Sequence, residues 1–108
     1  MNKNFLLFFM LFSSSNLIAA SYDCPTKTIL VSVFDGKPAD RAELIPDNEE
    51  SNAPGKTVWT FEAKKERSIW IVCNETTAKI AMAKELPKNV VSCKLVGKFG
   101  TKVSLVCQ

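Results

Sequence analysis

The chain has 108 residues, 46% of them hydrophobic and 23% charged, with a formal net charge of +3 and no histidine. That length is one domain, and the missing histidine removes both the usual general base near neutral pH and the usual metal ligand. Ser-His and Cys-His nucleophiles are excluded with it.

The first twenty residues have the layout of a secretory signal. Met1-Asn2-Lys3-Asn4 is a short cationic start, Phe5 to Phe12 an unbroken apolar run, and Leu17-Ile18-Ala19-Ala20-Ser21 offers small residues to a signal peptidase. The apolar run ends at Ser13-Ser14-Ser15-Asn16, whereas spanning a bilayer takes about 20 apolar residues, so no transmembrane anchor is expected. Cleavage is expected after Ala20, with Ala19 and Ser21 as neighbouring alternatives, leaving residues 21–108 as a single domain. Ser21-Tyr22-Asp23 before Cys24 fits a lipoprotein signal badly, so the product should be soluble.

A domain this short buries only about 60–65% of its unfolded surface and has a thin stability margin. Its four cysteines, Cys24, Cys73, Cys93 and Cys107, read as two disulfides in an exported chain. Without a Cys-x-x-Cys knuckle, zinc is disfavoured, and no cofactor is expected.

In chain order, Lys27 to Phe34 is rich in β-branched residues and stops at Asp35-Gly36, which predicts a strand and a turn. Lys37 to Leu44 has a proline near its start and good helix formers after it, predicting one or two helical turns before Pro46. Pro46 to Lys56 is almost entirely polar, with two prolines and a glycine, and is expected to be an exposed, mobile loop. From Thr57 onward an antiparallel meander is predicted: Thr57–Glu62, Ser68–Asn74, Thr77–Lys84, then a terminal hairpin of Val90–Val96 and Thr101–Cys107. Lys64 to Arg67 makes the first of its turns. Thr77–Lys84 would also accept a helix, because Ala, Lys and Glu suit one. The fold class is therefore mainly β, a small antiparallel sheet or meander of about five to six strands with one short helical turn and two disulfides.

The hairpin bears on the disulfides. A tight loop centred near Gly100 pairs Gly97 with Val103, Leu95 with Leu105 and Cys93 with Cys107, all on one apolar face. Directly opposite residues lie within disulfide reach, whereas Cys73 and Cys93 would be two strand spacings apart in a regular sheet. Of the three possible pairings this favours Cys93–Cys107 with Cys24–Cys73, although a register slip of one residue would undo the argument.

Charge is divided along the chain. Asp35, Asp40, Glu43, Asp47, Glu49 and Glu50 gather between residues 35 and 50, where solvation is a sufficient reason for them and a carboxylate-based enzyme is the least favoured reading. Residues 79–108 carry six lysines against Glu85 alone, with Lys94, Lys98 and Lys102 placed on the outer face of the hairpin. Such a patch suits an acidic protein or anionic lipid, but lysines also guard edge strands against aggregation. Export and the lack of interleaved exposed aromatics disfavour nucleic acid. Trp59 and Trp70, on neighbouring strands of the expected meander, suit a small core better than a binding face, with one of the two on the open face of the sheet as the alternative. Asn74-Glu75-Thr76 matches a glycosylation sequon, a tripeptide common by chance.

Several landmarks recur in one order: Cys24-Pro25, Phe34-Asp35-Gly36-Lys37-Pro38, Leu44-Ile45-Pro46-Asp47, Trp59, Trp70 with Cys73, Leu86-Pro87, Cys93 and Cys107. This order resembles a family of small exported proteobacterial proteins of uncharacterised function, in which Pro-Pro usually follows the Asp-Gly turn and an aromatic usually stands where Glu75 does. The resemblance implies a Gram-negative periplasmic location and one compact domain, and it brings no catalytic residue.

The function these features favour is occlusion of another envelope protein, as by an inhibitor or immunity protein against a cell-wall hydrolase or toxin. Asp47, Glu49 and Glu50 on the polar loop are then the blocking residues. The alternative is an envelope-associated structural module that binds anionic lipid or an envelope protein through Lys94, Lys98 and Lys102.

Overall fold

The computed structural model describes residues 19–48, 52–62 and 66–108. The expected signal segment up to residue 18, Glu49 and Glu50 of the polar loop, and Lys64 and Lys65 of the expected turn lie outside the described residues.

Among the described residues there are seven strands: β1 (Ala20–Asp23), β2 (Leu30–Asp35), β3 (Val58–Thr60), β4 (Ile69–Thr76), β5 (Lys79–Glu85), β6 (Ser92–Lys98) and β7 (Lys102–Cys107). They form two antiparallel sheets, one ordered β1-β7-β6-β3 and the other β2-β4-β5. The mainly β class, the single helical turn and both disulfides agree with expectation; the single meander does not. Chain neighbours pair only at β4–β5 and β6–β7, while β3 pairs with β6 rather than β4. The physical reason is burial. Ile69, Ile71 and Cys73 on one sheet and Leu95, Leu105 and Cys107 on the other share one core, whereas a single sheet would leave its apolar face on water.

The terminal hairpin has the register read from its sequence, with Cys93 opposite Cys107, Leu95 opposite Leu105 and Gly97 opposite Val103. Gly97 is required there. Its φ is +94°, and a Cβ at that position would stand 2.1 Å from the Lys102 carbonyl oxygen. Cys93–Cys107 joins these two strands. Cys24–Cys73 joins the exit of β1 to β4 and so staples the two sheets together. The pairing is the favoured one, but Cys73 and Cys93 are kept apart by lying in different sheets, not by an intervening strand.

Strand β1 has no sequence signature of its own; Ala20-Ser21-Tyr22-Asp23 forms a strand because the edge of β7 offers it a ladder. The helical segment is shorter than predicted. Only Pro38–Asp40 is helical, of 3-10 type, and Arg41 ends it in the left-handed region at φ 62°. Residues beyond it are extended instead, because β2 presents an open edge: the Leu44 N–H donates to the Val33 carbonyl (2.8 Å) and the Asp35 N–H to the Ala42 carbonyl (2.9 Å). A row of unpaired β2 groups outweighs the modest helix propensity of Ala42-Glu43-Leu44.

The described part of the polar loop is pinned rather than free. Asn52 works as a strand substitute on the β2 edge, its side-chain oxygen accepting from the Val31 N–H (2.7 Å) and its amide donating to the Val31 carbonyl (3.3 Å). The Asp47 N–H donates to the Val58 carbonyl (2.8 Å) and the Gly55 N–H to the Leu95 carbonyl (2.7 Å). Asn52 also sits at φ 57°, a region asparagine tolerates better than most residues. Asn52→Ala should therefore cost about 2 kcal/mol, combining an orphaned Val31 N–H with backbone strain. Urea denaturation measures this, and an unchanged midpoint would remove the anchoring role.

Candidate partner-binding surfaces

Alternation along the hairpin decides which side chains turn away from the core. Cys93, Leu95, Val103, Leu105 and Cys107 face the core, which turns Lys94, Val96, Lys98, Lys102, Ser104 and Val106 outward. The three candidate lysines thus share one open sheet face. Lys98 stands directly opposite Lys102, an unfavourable like-charge pair. Asp23 on β1 relieves it in part, lying 3.4 Å from the Lys102 amine and accepting a hydrogen bond from the Ser104 hydroxyl (2.6 Å). The Ser104 hydrogen bond is the main cause holding the Asp23 carboxyl below its usual value, aided by the Lys102 charge. Lys94 and Lys98 have no ion-pair partner among the described residues. Lys98→Glu should stabilise the fold by about 0.5 kcal/mol by turning the like pair into an opposite one. A lower thermal midpoint for this variant would mean that Lys98 makes a structural contribution of its own.

Of the acidic candidates, Asp47 lies beside this face. Its carboxylate accepts a hydrogen bond from the Thr60 hydroxyl, on the side of β3 opposite buried Trp59. Lys94 pairs across from Val58, and Asp47 holds the other edge of Val58, so the two candidate charges flank one valine. The structure brings Asp47 beside Lys94, one of the three lysines that the sequence places in a rival interface.

A cleft of about 620 Å³ opens at one end of the two sheets. Leu44, Phe61 and Ile69 supply its apolar wall; Asp35, Glu62, Glu66 and Arg67 line the rest, with Arg67 paired to Asp35 at 3.2 Å. Among the described residues no group of three or more Cys, Asp or Glu side chains could hold a metal ion. No helix among them is long and apolar enough to cross a membrane.

The reading of Asn74-Glu75-Thr76 as a chance match stands, while the placement of the tryptophans changes. Asn74 of the sequon is buried and donates to the Leu30 carbonyl and the Ser32 hydroxyl, each at 3.3 Å, so its amide serves the sheet. The tryptophans are not on neighbouring strands. Trp59 is in the core of the four-stranded sheet, while Trp70 is half-buried on β4 and outside the core cluster. Ile69 and Ile71 occupy the core side of β4, so alternation turns Trp70 to the outer face of the three-stranded sheet.

What these features define is a small, doubly disulfide-bridged, two-sheet β protein with broad open faces. The family model described as type VI secretion system Tli immunity protein matches residues 26–108, and the chain belongs to that family. No curated protein and no solved structure gives a significant match.

Proposed function

We propose that this protein is an immunity protein, which binds a toxin delivered by a type VI secretion system and keeps it inactive by occlusion, without chemistry of its own. The family match across residues 26–108 carries this reading. The scaffold suits it. Two disulfides bridge a core that draws on both sheets, presenting faces that need no rearrangement to bind. Both bridges fit an oxidising compartment, which favours action in the periplasm, as does the export signal read at the N-terminus.

The test is protection. A toxin effector of the same locus, directed to the periplasm of a sensitive strain, should arrest growth alone and be tolerated when the full chain is co-expressed. The purified pair should form a stoichiometric complex. Arrest despite co-expression, with no complex, would overturn the proposal. Retention of the mature protein on anionic vesicles, lost at moderate salt, would favour the envelope module through the lysine face instead.

A further inference from the structure

The outer face of the three-stranded sheet carries an arrangement that neither charge nor hydropathy along the chain reveals. Glu43 bridges to Phe34, Phe34 pairs with Trp70, and Trp70 pairs with Glu85. Directly opposite residues send their side chains to the same face, so these four form one row, roughly 14 Å wide at three strand spacings. The ladder also sets how close they come. With the Leu44 N–H on the Val33 carbonyl and the Leu86 N–H on the Ile69 carbonyl, Glu43–Phe34 and Trp70–Glu85 are non-hydrogen-bonded pairs, the type whose side chains approach more closely. Each aromatic ring therefore has a carboxylate beside it.

Neither Glu43 nor Glu85 has a hydrogen-bond or ion-pair partner among the described residues. Arg67 is engaged by Asp35, whose side chain lies on the opposite face, along the cleft. In the next row Ser32, Val72 and Ala83 are in register, with Ser32 and Val72 buried and Ala83 exposed. Beyond it Ile80 is 51% exposed. The face is thus an aromatic pair between two unpaired carboxylates, with exposed Ala83 and Ile80 beside it on β5.

We propose that this row is the docking point for the toxin, and that it takes a basic side chain, arginine fitting best, from the toxin's surface. The proposal rests on the immunity reading above. A guanidinium lies flat on an indole or phenyl face and still has in-plane donors for carboxylates to either side. Its aliphatic stem lies against exposed Ala83. The two carboxylates disfavour anionic lipid. A second copy of this chain would have to bring its lysine-bearing sheet onto this one, a heterologous contact that builds rings or filaments rather than a two-fold dimer.

The experiment is calorimetric titration of an inactivated type VI effector from the same bacterium, using the mature, oxidised protein. Glu43→Gln with Glu85→Gln, and separately Trp70→Leu, should each weaken binding at least tenfold. The glutamine pair is exposed and nearly isosteric, so its thermal midpoint should not move, and it remains informative even if the Trp70 variant is unstable. Lys94→Gln with Lys98→Gln should bind as the wild type does. If the wild type binds and the glutamine pair binds equally well, this face is not the interface, while the immunity reading stands. Loss of binding in the lysine pair alone would likewise overturn this inference and move the interface to the other sheet. Failure of the wild type to bind the effector would overturn the immunity reading, and this inference with it.

Discussion

Replacing Cys24 and Cys73 together by alanine is expected to lower stability by about 4 kcal/mol, more than any other change to the bridges. The bridge closes a loop of 49 residues and connects strands of different sheets, so cutting it frees both the unfolded chain and the contact between layers. The Cys93–Cys107 bridge spans 14 residues between strands that are already paired, and its removal should cost nearer 3 kcal/mol. Small domains hold only about 5–15 kcal/mol in all, so either loss takes a large share. Urea denaturation of the two double variants measures both numbers; a larger loss from the Cys93–Cys107 pair would contradict the stapling role given to Cys24–Cys73.

Trp59→Ala should be the most damaging single core substitution, at about 3–5 kcal/mol. Trp59 is 2% exposed, stands opposite Cys93, and its indole N–H reaches the Leu44 carbonyl at 3.4 Å. It fills the space where the short strand β3 meets the chain crossing between the sheets. Trp70→Ala should cost distinctly less, since that side chain is half-buried and lies outside the core cluster. Thermal or chemical unfolding separates the two. Equal costs would mean that Trp70 has a structural partner beyond the outer face, and would weaken the docking role assigned to it.

The parts of this fold that are readable from sequence are those that depend on short separations. The hairpin register follows from alternation on either side of Gly100, and it places both Cys93–Cys107 and the three lysines. The division into two sheets does not follow. Alternation in Ile69-Trp70-Ile71 shows which side is apolar but not which other apolar side it will meet. Ala42-Glu43-Leu44 has helix propensity and becomes extended only because β2, a segment earlier, has an edge to fill. Asn52 reads as loop, yet its most consequential contact is with Val31. The candidate site divides in the same way. A cluster of lysines is visible as composition, whereas Phe34, Glu43, Trp70 and Glu85 come from four separate segments and become neighbours only through three successive pairings.

The place of β7 has a bearing on when this protein folds. Strand β7, which follows the other six along the chain, lies between β1 and β6, inside the four-stranded sheet and not at its margin. Until residues 102–107 are in place, β1 has nothing to pair with and β6 lacks one of its two neighbours. A chain that has not yet delivered these residues therefore cannot complete the sheet. Acquisition of structure is paced by the meeting of two segments far apart in sequence. All-β proteins dominated by such distant pairings fold on the order of milliseconds to seconds. Through that interval the apolar strands Leu30–Asp35 and Ile69–Thr76 remain uncovered, and this is when a chaperone would find them.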